Sequence, residues 1–237
     1  MKKLIFILLC FCLLTFGSSA RIIEVAPAGA WGVLGISGGG AVAEGGGDLA
    51  DDFTGGITDW TEVEGTWSGA SGYAVPTELG AGPDAILVYN TQTSTIDQWI
   101  EVKLTTVDSN GVTLRATNTG AATWDGFTVF ADATYVYLYY YVDGDFENIS
   151  GLTGSPTWYW EHTFNAGDYM GIEIIGTDAA TTIYVWDNGT SSVPHASWGA
   201  ADFNSGAFAT GITSGTYIGL SSWELGGQLD DFKAGDK

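Results

Sequence analysis

From Asp48 onward the sequence breaks into short segments in which apolar and polar residues alternate, separated by clusters of Gly, Asn, Asp, Ser and Thr. A period of two marks a β-strand with one buried face, and such punctuation marks turns. The pattern predicts strands over 60–67, 72–75, 85–89, 98–106, 111–117, 126–132, 135–143, 157–163, 169–176, 181–187, 217–222 and 229–234, and no helix. Short antiparallel strands in this number bury their apolar faces by packing two sheets together, so the fold class is all-β, an antiparallel sandwich or jelly roll.

Alternation also assigns faces. In the segment YVYLYYYV, Val136, Leu138, Tyr140 and Val142 share one side, and Tyr135, Tyr137, Tyr139 and Tyr141 the other. The first set is assigned to the core and the tyrosines outward. By the same reasoning Ile100, Val102 and Leu104 point inward, with Trp99, Glu101 and Lys103 outward. Val112, Leu114 and Ala116 point inward, leaving Arg115 outward, and Tyr184 and Trp186 lie opposite Ile183 and Val185.

The chain before Asp48 reads differently. Lys2 and Lys3, the apolar run from Leu4 to Phe16 and the small residues Ser18, Ser19 and Ala20 make residues 1–20 a signal peptide, too short for a membrane span. Residues 21–47, rich in Gly and Ala, read as a leader or linker, and 48–237 as one domain. The protein is expected to be secreted or to sit at the cell surface. Cys10 and Cys12, the only cysteines, fall in the signal peptide, which excludes disulfides and thiol chemistry from the mature chain. Apart from Lys2 and Lys3 the basic residues are Arg21, Lys103, Arg115, Lys233 and Lys237, against 28 acidic ones. Such a chain repels phosphate backbones, which excludes nucleic acid as a partner.

The order of segments resembles the concanavalin A-like (laminin G-like) jelly-roll domains. DDFTGGITDWTEVEGTW opens the domain, DQWIEVKL, GVTLRAT and FNAGDYMGIEIIGTDAATTIYVWDNG follow, and TYIGLSS with LDDFKAGD closes it. The resemblance implies two stacked antiparallel sheets and a role in carbohydrate binding or adhesion, with hydrolases and lyases among the relatives. It also implies a structural ion held by the first and last strands. Asp51 and Asp52 stand at one of those ends and Asp230 at the other, and plentiful carboxylates suit calcium.

Glycoside hydrolysis needs a pair of carboxylates flanking the scissile bond. The Glu-x-Asp-x-(x)-Glu strand of the similar hydrolases is absent, and VDGDFENI, with Asp143, Asp145 and Glu147, reads as a polar loop. Glu161 and His162 are adjacent, so on a strand they face opposite sides. The expectation is therefore a non-catalytic module binding a polysaccharide or glycan through Tyr137, Tyr139, Tyr141, Trp186 and Arg115, aromatic faces for stacking and a cation for polar groups. For Arg115 the other reading is a cross-strand pair with Glu101 or Glu173. For the chain the other reading is a structural protein that self-associates through exposed aromatics and sheet edges.

Overall fold

The computed structural model describes residues 49–69, 72–80, 84–117, 124–142, 145–148, 159–177, 181–188, 196–198 and 215–237. The signal peptide and leader read from the sequence lie outside these residues, as does the side chain of Val142. Every regular element among them is a strand, and every paired strand is antiparallel.

Two sheets make the sandwich. The six-stranded sheet runs β1 (Leu49–Asp51), β16 (Leu229–Asp236), β6 (Gln98–Leu104), β12 (Tyr169–Ile175), β13 (Thr182–Asp187) and β14 (Ala196–Trp198). The eight-stranded sheet contains β10 (Asp145–Asn148), β9 (Tyr135–Val142), β8 (Gly126–Ala131), β7 (Asn110–Ala116), β15 (Tyr217–Ser222), β5 (Ala85–Tyr89) and β2 (Trp60–Glu64), with β11 (Tyr159–Glu161) also paired to β9. A small ribbon pairs β3 (Thr66–Ser68) with β4 (Val75–Glu78). Residues 145–148 are thus a strand on the free edge of β9, not the polar loop expected, because the unpaired half of β9 offers them a ladder.

The main core lies between the sheets. Ile100, Val102, Ile172, Ile174, Ile183 and Val185 from one face meet Leu87, Val112, Leu114, Val129, Val136, Leu138, Tyr140 and Leu220 from the other. Burying each such aliphatic side chain contributes roughly 1.5–3 kcal/mol. At one end Phe53 and Phe232 both point inward against Trp60, with ring centroids 5.5 and 4.7 Å away.

Alternation holds until a bulge adds a residue. Opposite β15, β7 slips register between Thr113 and Ala116, and Arg115 takes a left-handed φ of 52°. The extra residue reverses parity, so Ala116 joins a second apolar cluster on the sheet's outer side with Val63, Ile86, Val88, Trp124 and Tyr141. Arg115 is not outward, as the sequence suggests, but fully buried.

Candidate functional site

The tyrosine row stands on the outer face of the eight-stranded sheet, and the structure covers half of it. Tyr139 and Tyr141 are only 2% exposed, so the expectation of four outward tyrosines is corrected for these two. Trp124 stacks on Tyr141 at 4.3 Å, and Trp223 and Phe130 pack on Tyr139 at 4.6 and 5.9 Å. Trp124 precedes β8, the neighbour of β9, whereas Trp223 follows β15 and reaches Tyr139 across the face of the sheet.

The layer opens at its other end. Tyr137 stacks on Tyr139 at 6.2 Å with 19° between planes, Tyr135 stands 5.9 Å from Tyr137, and Tyr159 closes on Tyr135 at 5.1 Å. Tyr135 and Tyr137 are half-buried, whereas Tyr159 and its neighbour Trp160 are exposed at 36% and 43%. Asp132 fixes the open end. It accepts the Tyr137 hydroxyl at 2.7 Å and the backbone N–H groups of Thr134 and Tyr135. Burial and this carboxylate together raise the Tyr137 pKa, so its hydroxyl remains a donor at any physiological pH.

Beside the rings the same face is polar. Thr128 on β8 sits between Tyr139 and Thr113 in register, and Ser221 on β15 sits between Gly111 and Ile86. The hydroxyls of Thr113, Thr128 and Ser221 are buried without a hydrogen-bond partner, as is the indole N–H of Trp124. Unmade hydrogen bonds of this kind cost about 1–3 kcal/mol each.

A carboxyl pair borders the layer. Asp84, two residues before Ile86 and of the same parity, is 2% exposed with one oxygen unpartnered. Burial and the nearby charge of Glu64 push its pKa up to about 7, partly offset by the indole of Trp223. Glu64 ends β2, which pairs with β5 through a register shift. The two carboxyls belong to different segments brought together by the β2–β5 pairing, which no single-strand spacing reveals, and the parity of Asp84 with Ile86 and Val88 is its signal in the sequence.

The other expected ligand residues lie elsewhere. Trp186 stands on the outer face of the six-stranded sheet and shares no site with the tyrosines. Arg115 is buried and does not pair with Glu101 or Glu173. Its Nε donates to Ile96 O at 2.8 Å, Nη2 to Gly176 O at 2.5 Å, and Nη1 to Thr181 Oγ1 at 3.3 Å. The only carboxylate partner among the described residues is Asp97, at 3.4 Å. Glu101 and Glu173 instead pair with Lys233 and Lys237.

The expected calcium ligands do not converge. Asp51 spends one oxygen on the Phe53 N–H and the other on the Trp60 indole N–H, both at 2.7 Å. Asp52 accepts from Thr54, and Asp230 binds Lys103 at 3.3 Å. Asp231 has a φ of 47° and the register shifts between Asp230 and Lys233, so Asp51 faces Phe232 across the ladder instead of Asp230. Among the described residues no group of three His, Cys, Asp or Glu side chains is placed to hold a metal ion. These residues do not fit the ion. Melting in calcium and in EDTA should give the same midpoint, since only a ligand bound to the native state raises it. A rise of several degrees with calcium would contradict this.

No protein-family model matches the sequence, and no curated protein matches it. Solved structures do. The Crh5 transglycosylase in complex with NAG is 13% identical, with 84% of this chain and 86% of that one covered at a TM-score of 0.51. The carbohydrate-binding module CBM66 from Bacillus subtilis is 11% identical over 76% of this chain and 94% of its own, TM-score 0.44. A prokaryotic β-1,3-1,4-glucanase (lichenase) derived from a mouse hindgut metagenome is 12% identical over 80% and 98%, TM-score 0.46. At such identities the likeness is one of fold, which does not decide function. The chain has the two-sheet antiparallel jelly-roll fold that its alternating segments suggest.

Proposed function

We propose that this chain is a secreted, non-catalytic module that binds a neutral polysaccharide on the outer face of its eight-stranded sheet. One observation carries the reading: a layer of rings on this face is buried at Tyr141 and Tyr139 and opens at Tyr137, Tyr135 and Tyr159. Flat rings stack on the C–H faces of sugars, and the amphipathic tyrosine adds a polar tip. Tyr139 and Tyr141 support the platform from beneath, and Tyr137, Tyr135 and Tyr159 present it.

Affinity electrophoresis of the whole chain against a panel of neutral polysaccharides tests this. Tyr137→Ala should weaken retardation about tenfold, equivalent to about 1.4 kcal/mol. Wild-type retardation in both Tyr137→Ala and Tyr159→Ala would place the ligand elsewhere.

Glycoside hydrolysis is the second reading, favoured by the Asp84–Glu64 pair. A carboxyl whose pKa is pushed up to about 7, with a second carboxyl nearby, is the kind of pair in which the first serves as acid and the second as base or nucleophile. Release of reducing ends by the wild-type chain and its loss in Asp84→Asn would carry this reading. Binding without release keeps the module non-catalytic.

A further inference from the structure

The outer face of the six-stranded sheet has its own aromatic platform. Tyr184 and Trp186, alternate residues of β13, stack at 5.8 Å with 29° between their planes, and both are partly exposed. In register, Trp186 is followed across the sheet by Gly171 on β12, Glu101 on β6 and Lys233 on β16. Gly171 is itself buried and places no side chain between Trp186 and Glu101, whose backbones stand two strand spacings, about 10 Å, apart. The neighbouring row runs Tyr184, Glu173, Trp99 and Gly235. Trp99 is 7% exposed, and its indole N–H has no hydrogen-bond partner.

Charge narrows the occupant. The lysines of the described residues, Lys103, Lys233 and Lys237, all serve this face, and each is paired with carboxylates: Lys103 with Asp230 and Asp231, Lys233 with Glu101, Lys237 with Glu173. In a chain of formal charge −21 the surface around the two rings is therefore locally balanced. A cationic partner finds its carboxylates already engaged, and an anionic one meets the field of the whole protein. An uncharged ligand rich in hydroxyls meets donors and acceptors side by side with a stacking surface.

We propose that Tyr184 and Trp186 form a second binding platform for neutral polysaccharide, so that one chain carries a site on each outer face and bridges two glycan strands. The ligand class rests on the reading of the tyrosine face given above, but the site does not. Two modest sites on one rigid body gain in avidity by making the second encounter intramolecular.

The test combines affinity electrophoresis with turbidity of a soluble neutral polysaccharide that the wild-type chain retards, after light scattering has established the mass of the free protein. A monomeric wild type should cross-link the polymer and raise turbidity. Trp186→Ala should abolish turbidity while keeping retardation, and Trp186→Tyr should restore it. In a Tyr137→Ala background, Trp186→Ala should remove the remaining retardation.

Turbidity unchanged in Trp186→Ala would overturn the second site. So would a polysaccharide-independent dimer broken by that substitution, which would make this face an interface between copies. If Tyr137→Ala leaves affinity intact while Trp186→Ala abolishes it, the tyrosine face falls and this platform stands. If no neutral polysaccharide is retarded, both fall.

Discussion

Replacing Arg115 with alanine should lower the unfolding free energy by roughly 3–5 kcal/mol, from two stranded carbonyls at about 1–3 kcal/mol each and the cavity left behind. The guanidinium leaves β7 at its bulge and crosses to the six-stranded sheet, where Ile96, Asp97, Gly176 and Thr181 accept its N–H groups. Gln98 completes the junction by accepting the Arg115 backbone N–H at 2.8 Å, and Asp97 also accepts the Gly176 N–H. Truncation strands two carbonyls and leaves a cavity at a fully buried position, while the Asp97 carboxylate, 42% exposed, stays solvated. Burial lowers the guanidinium pKa only to about 10, so the side chain is charged at neutral pH and the loss is that of an ionised donor. Arg115→Lys should recover little, because a single ammonium cannot reach acceptors arranged around a planar fork. Urea denaturation of the three proteins measures this. A loss below about 1 kcal/mol for the alanine variant, the size of a surface ion pair, would show that the network is not structural.

The same bulge explains why the fold was more legible than the site. The predicted limits of 85–89 and 217–222 coincide with β5 and β15, since alternation and turn residues are written locally. β1, β10 and β14, of three or four residues, carry too little pattern of their own and form because a neighbour has a free edge. Side-chain direction was correct wherever a strand stays regular, as at Val136, Leu138 and Tyr140 or Ile183 and Val185. It failed for Arg115 and Asp230, where a left-handed residue within or beside a register shift turns the strand. The tyrosine row and Trp186 were joined because both are outward aromatics. Which sheet each strand enters depends on long-range pairing, and that places them on opposite sides of the sandwich. Burial of Tyr139 likewise depends on Trp223, which arrives from a part of the chain remote in sequence.

The Asp84–Glu64 pair owes its effect to that long-range pairing as well, and its signature is a stability that depends on pH in a stated direction. The Asp84 carboxyl titrates near 3.8 when unfolded and about 7 in the native protein. Between those values the native state holds a proton that the unfolded chain has released, so stability falls as pH rises through the window. The contribution is fully present below about pH 4 and lost above about pH 7. At about 1.4 kcal/mol per pKa unit the whole difference amounts to at most about 4 kcal/mol. Asparagine keeps the shape of the protonated acid and cannot ionise, so Asp84→Asn should match the wild type near pH 4 and exceed it by roughly 2–4 kcal/mol at pH 8. Subtracting the two profiles cancels the other carboxylates, apart from Glu64, whose charge faces Asp84 directly. Glu64→Gln should shift the wild-type descent to lower pH by removing that repulsion, and burial alone should keep the Asp84 pKa above the ordinary carboxylate range. Denaturant unfolding at several pH values between 4 and 8 measures both. A wild-type minus Asp84→Asn difference that stays constant across the range would mean that Asp84 is ionised throughout, removing the physical basis for an acid–base pair on this face.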